Sequence, residues 1–137
     1  MIASVFASWL VASALLLAGP TSPQDEVPRE ADALAASPDH FRLLLENEEV
    51  RVLEYQLLPG ERDKWHTHPP KVSYVVAGGK LRITTDDGQS FDVDETTDSA
   101  AWMGALGWHY AENIGTTTVR IVVVEVKRAA SKSTSPR

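Results

Sequence analysis

Between residues 49 and 127 the apolar positions fall in short runs separated by glycine, proline and aspartate, with no sustained 3.6-residue period. That pattern predicts an all-β domain. Residues 49–58 are rich in Val, Leu and Tyr and stop at Pro59-Gly60, a pair that does not continue a central strand. Residues 71–77, 80–85 and 89–93 read as three strands in hairpin succession. Gly78-Gly79 is expected to supply positive φ at the first reversal, and Asp86-Asp87-Gly88 forms the second. Trp102, residues 107–113 and the run 117–127 complete the set. The block Ile121-Val122-Val123-Val124 is too uniformly apolar for a one-sided sheet, so this strand is expected to be buried on both faces or packed on a second layer. Short antiparallel strands with turns of this kind build a sandwich or closed barrel, of which the jelly roll is one form.

The ends have a different texture. Residues 2–18 are an apolar run of Leu, Ala, Val and Ser ending at Gly19-Pro20, the h-region pattern of a secretory signal, so residues 1–19 are expected to be a signal peptide. An uncleaved membrane anchor is the alternative. Export implies a periplasmic or secreted protein, and retention a membrane-anchored one. Residues 20–37 carry Pro, Asp, Glu, Ser and Ala without an apolar face and read as a flexible linker. A turn of helix fits within 32–36, but Pro38 disfavours helical geometry at Ser37. The folded domain is expected over 38–128, followed by a polar tail at 129–137.

Composition narrows the chemistry. With 137 residues and 43% hydrophobic content the chain has material for one core. Its 13 basic and 19 acidic residues give a formal charge of -6, so no basic surplus is available for a phosphate backbone, and nucleic acid is excluded as an expected partner. Cysteine is absent, which removes disulfides, thiolate ligands, thiol nucleophiles and lipid attachment at a cysteine. No serine lies in a Gly-x-Ser-x-Gly elbow and no glycine-rich phosphate loop is present.

The histidines carry the remaining signal. His66 and His68, at i and i+2 on a strand, project to one face. His109 lies about 40 residues later in another strand-like segment, a separation at which a barrel brings a distant strand alongside. Three converging imidazoles could hold a divalent transition metal (Fe, Mn, Zn, Ni or Cu) with positions left for water or substrate. His-x-His alone is a weak signal, since strand histidines are more often surface or hydrogen-bonded core groups. His40 has no partner at ligand spacing and reads as a loop residue.

The surrounding residues sharpen this. Gly60, five residues, His66-Thr67-His68 and then Gly79 resemble the first sequence motif of the cupin superfamily, and Gly107-Trp108-His109-Tyr110-Ala111-Glu112-Asn113 resembles the second. The resemblance runs from about Phe41 to Lys127 and implies a small single-domain cupin, a jelly-roll β-barrel or double-stranded β-helix, with His66, His68 and His109 as metal ligands. The family's glutamate, four or five residues after the second histidine, is missing: Val72 and Ser73 stand there, with Val72 the equivalent counted back from Gly79. Ala105 also stands where proline is usual. Cupin dioxygenases that oxidise thiols likewise bind metal without that glutamate, whereas a decayed ligand set would leave a binding pocket without metal.

Several neighbours follow from alternation. If Val72 faces inward, so does Tyr74, a candidate catalytic phenol that could donate a hydrogen bond or a proton, with core filling as the other reading. Lys64 would turn inward with the histidines and could meet an anionic substrate, or lie solvated at the rim. Trp108 and Tyr110 would point away from His109 and, if exposed, favour a homodimer interface. Asn113 is expected to shape the turn with Gly115. Glu54 and Gln56 share a face and are the remaining candidates for a lost ligand. The sequence thus predicts an exported cupin-type protein that binds a divalent metal through three histidines and acts on or binds a small molecule, with oxygenase or isomerase chemistry as the enzymatic options. The alternative is a non-enzymatic small-ligand-binding module without metal.

Overall fold

A computed structural model describes residues 31–127. The expected signal peptide at 1–19, the linker up to residue 30 and the tail at 129–137 lie outside the described residues. Those described form one short helix, α1 (Ala33–Ala36), and nine strands: β1 (Phe41–Glu46), β2 (Val50–Leu57), β3 (His66–His68), β4 (Lys71–Ala77), β5 (Gly79–Thr85), β6 (Ser90–Glu95), β7 (Ala100–Met103), β8 (Leu106–Asn113) and β9 (Val119–Val126). All strand pairs are antiparallel, in a five-stranded sheet of order β1-β2-β9-β4-β7 and a four-stranded sheet of order β3-β8-β5-β6. The all-β expectation holds.

Alternation along β2 and β9 makes the core. Leu53, Tyr55 and Leu57 on β2 and Val119, Ile121 and Val123 on β9 all point between the sheets, joined by Phe41, Val75 and Leu81. Each fully buried aliphatic side chain contributes about 1.5–3 kcal/mol relative to exposure. The Ile121-Val122-Val123-Val124 block packs on a second layer through Ile121 and Val123, while its alternate members Val122 and Val124 are half-buried on the outer face, where β9 lies between β2 and β4.

Three expectations need correction. Chain between 31 and 37 is not linker. Asp32 caps α1 by accepting a hydrogen bond from the Ala35 amide at 3.0 Å, Ala33 is wholly buried in the core, and Thr67 N–H donates to the Ala31 carbonyl at 2.9 Å. The run from β4 to β5 is not a hairpin, because β4 belongs to one sheet and β5 to the other. Gly78 and Gly79 are not at positive φ; they are needed for lack of space, since a Cβ on Gly78 would collide with the Glu95 carbonyl oxygen and one on Gly79 would lie 2.8 Å from Val119 Cγ2. Asp86-Asp87-Gly88 does close the hairpin from β5 to β6, with Gly88 at φ +82°. Finally β1 escapes the hydrophobic pattern because Leu43, Leu44 and Leu45 are all exposed, on both faces of an edge strand with a bulge.

Candidate metal centre

The register of β3 on β8 places His66 directly opposite His109, and the i, i+2 spacing brings His68 to the same inner face. All three are buried, and His66, His68 and His109 offer ligand nitrogens within 4.8 Å of one another. Phe41 meets His66 and His68 edge-on, with ring centroids 5.4 and 5.9 Å away, and limits the rotation of both imidazoles.

Each imidazole is held from behind. His66 Nδ1 donates to the Lys64 carbonyl at 2.7 Å, His109 Nδ1 to the Gly107 carbonyl at 2.7 Å, and His68 Nδ1 to Glu125 Oε1 at 2.7 Å. A carbonyl or carboxylate oxygen can only accept, so the proton of each neutral ring sits on Nδ1 and all three Nε2 atoms carry bare lone pairs. The His66 and His68 Nε2 atoms are 3.2 Å apart. Two lone pairs at that separation repel unless a cation lies between them.

A proton on His68 is a poor candidate for that cation. Burial pushes His68 down to about 4, against the raising effect of the Glu125 hydrogen bond, and pushes His109 down to about 3, against that of Gly107. A divalent ion suits the same nitrogens, which present neutral imidazoles and fixed tautomers as metal-ligating histidines do. In the metal-free protein the depressed values set the sign of a pH effect. From pH 6.5 downward the unfolded chain takes up protons at His68 and His109 while the folded state does not, so stability is complete above 6.5 and is lost as pH falls through about 4 and 3. Between pH 6.5 and 5.5 the loss should be roughly 1 kcal/mol per histidine, read as a falling urea midpoint; a midpoint unchanged over that interval would contradict the burial of neutral rings.

Behind the histidines lies a buried charge network. Glu125 Oε1 accepts the hydrogen bond from His68 Nδ1 while Oε2 accepts from Arg51 Nε at 2.8 Å, and Arg51 also pairs with Asp32. Burial raises the Glu125 carboxyl, but the His68 and Arg51 hydrogen bonds outweigh it and hold it below its ordinary value. Asp63, also buried, accepts from the Ala111 amide at 2.7 Å and the Tyr55 hydroxyl at 2.9 Å, which ties the approach to β3 onto β8. Burial raises both Asp63 and Tyr55.

The structure places the other candidates elsewhere. Tyr74 is 42% exposed on the outer face, its hydroxyl donating to Asp98 Oδ1 at 2.9 Å, and Val72 is likewise outward. The residues of β4 that line the cavity are Lys71, Ser73 and Val75. Lys64 is exposed. Glu54 pairs with Arg42 and Arg120 on the outside and Gln56 is exposed, so neither replaces a ligand. Trp108 and Tyr110 are half-buried, with Tyr110 edge-on to Trp65 at 4.7 Å and beneath Arg62. Asn113 shapes its turn as expected, accepting from the Gly115 amide at 3.0 Å.

The histidines open onto a cavity of about 340 Å³ between the sheets. Its walls are mostly apolar, from Phe41, Val75, Leu81, Ile83 and Ile121 among others, with Asp63, Lys71 and Glu95 as the charged side chains besides the histidines.

No protein-family model and no curated protein matches the sequence. Solved structures do. A cupin domain protein from Bordetella pertussis aligns with a TM-score of 0.60 at 26% identity, over 64% of this chain and 92% of that one. The chain has the cupin fold. An RmlC-like cupin with a double-stranded β-helix from Methanocaldococcus jannaschii aligns at a TM-score of 0.51 and 19% identity, over 63% and 77% of the two chains. A Bacillus halodurans protein matches at 0.51 and 18%, over 67% and 73%. In this cupin-fold chain the histidine trio faces the cavity between the two sheets, on the paired strands β3 and β8.

Proposed function

We propose that this cupin holds one divalent transition-metal ion on His66, His68 and His109 and uses it to bind or transform a small molecule in the adjoining cavity. The observation that carries this reading is the arrangement of the three Nδ1–H groups, each spent on an oxygen outside the site, which leaves three bare Nε2 atoms facing one another. A bound ion would supply Lewis acidity toward an oxygen of water or ligand. The chain's own part is to fix the imidazoles, exclude bulk water with apolar walls, and orient whatever enters. An apolar cavity of about 340 Å³ lies at the lower end of small-molecule pockets.

The test is metal analysis of the full chain purified without a histidine tag, with cobalt(II) titration followed by visible absorption. One ion per chain is expected; saturating cobalt with no spectral change and no bound metal would sink the reading in favour of a metal-free binding module. Export and self-association belong to the same reading, supported by the apolar run at 2–18 and by Val72, Tyr74 and Trp102 exposed on the outer sheet face; cell fractionation and sedimentation check them.

A further inference from the structure

Lys71 is the one cation in the cavity wall, among the described residues, and its surroundings leave it without a mate. It is 8% exposed, and its Nζ makes no hydrogen bond or ion pair. The residue stands between two rows of charge: Lys71 is the cross-strand partner of Glu125, which is in turn the partner of Arg51. Yet both Glu125 oxygens are already taken, Oε1 by His68 and Oε2 by Arg51. Both Asp63 oxygens are taken as well, by Ala111 and Tyr55. Glu95 lines the same cavity but is not in ion-pair contact with Lys71. No wholly enclosed side-chain nitrogen or oxygen lacks a partner among the described residues, so the Lys71 ammonium reaches the cavity space itself.

A buried ammonium is costly unless something neutralises it, and no carboxylate among the described residues is in ion-pair contact with it, although Glu125, Glu95 and Asp63 act on it through their charge. We propose that Lys71 anchors the carboxylate of a small apolar acid whose body fills the cavity beside the histidines. This rests on the reading of that cavity as a ligand site. Support comes from the rest of the wall, which is mostly apolar and would take a hydrocarbon or aryl body, and from Arg51, which already occupies Glu125 and so leaves the Lys71 ammonium without a direct partner. Burial draws Lys71 down to about 8, against the raising effect of Glu125 and Glu95, so it stays mainly protonated at neutral pH. Lys71 also lowers both His68 and His109 through its charge, which puts it within electrostatic reach of the site.

The probes are 3-phenylpropionate and its neutral amide, 3-phenylpropionamide, titrated by calorimetry into the full chain, metal-free and cobalt-loaded. The metal-free protein should prefer the carboxylate at least tenfold. Lys71→Met should erase that preference while cobalt uptake and circular dichroism stay those of the wild type, and Lys71→Arg should retain part of it. Glu95→Gln should strengthen carboxylate binding a few-fold by removing a like charge, an effect that a purely structural lysine would not produce. Equal affinities for acid and amide in the wild type, a preference that survives Lys71→Met, or no binding of the acid overturns the proposal. If cobalt does not bind but the acid is still preferred, the metal reading fails and this one stands; if cobalt binds and the preference is absent, the reverse holds.

Discussion

Replacing His109 by glutamine should leave a folded barrel that no longer takes up cobalt or zinc at stoichiometric levels, with affinity reduced by more than the roughly 10- to 100-fold that loss of an outer partner costs. His109 supplies one of three nitrogens, and glutamine keeps much of the volume and polarity while removing the imidazole. The competing account is that the histidines are buried polar filler, each satisfied by one hydrogen bond. The two accounts separate on linkage. An ion that binds only the native state raises stability by about 2.7 kcal/mol at one hundred times its dissociation constant. Cobalt should therefore raise the urea midpoint of the wild type and leave that of His109→Gln where it was. Equal metal content in wild type, His109→Gln and His66→Ala would mean that no common site exists.

The histidine trio was legible because its geometry depends on one short rule, the period-2 alternation of a strand, together with the paired motifs that set the register of β3 on β8. Phase was harder. Counting from Gly79 put Val72 and Tyr74 on the inner face, but β4 carries a bulge between Val75 and Ala77 where it pairs with β9, and a one-residue change of phase turns every side chain over. Lys71 and Ser73 are the inward residues as a result. Lys64 was misplaced for a related reason: β3 begins only at His66, so alternation does not extend back to Lys64. Helix α1 was underread because its hold on the fold is not an apolar stripe but the small side chain of Ala33 and the contacts of Asp32. Glu125 did leave a signal. Along the inward positions Val119, Ile121, Val123 and Glu125 it is the single charge, and a carboxylate in that row needs a buried partner.

That partner is why Glu125→Gln should show the second large effect, in two quantities that can be separated. The carboxylate serves Arg51 on one oxygen and His68 on the other, and it is nearly inaccessible to water. Glutamine can still accept from His68 Nδ1, but its amide group then faces the Arg51 guanidinium, which keeps only Asp32 as a partner. Loss of one member of a buried pair costs roughly 3–5 kcal/mol, and the surviving Asp32 contact places this case near the lower end, read as a fall in urea midpoint. Metal affinity should drop about 10- to 100-fold, since the negative charge that raises the basicity of His68 is gone although an acceptor for its Nδ1–H remains. The double variant Arg51→Met/Glu125→Leu distinguishes the roles. Removing both charges should recover much of the stability, because an apolar pair is no worse than a buried ion pair. It cannot recover metal affinity, because His68 Nδ1 is then left without an acceptor. Should the double variant bind cobalt as tightly as the wild type, Glu125 would be a structural counter-ion to Arg51 and nothing more; if affinity stays low while stability returns, the carboxylate works through the histidine.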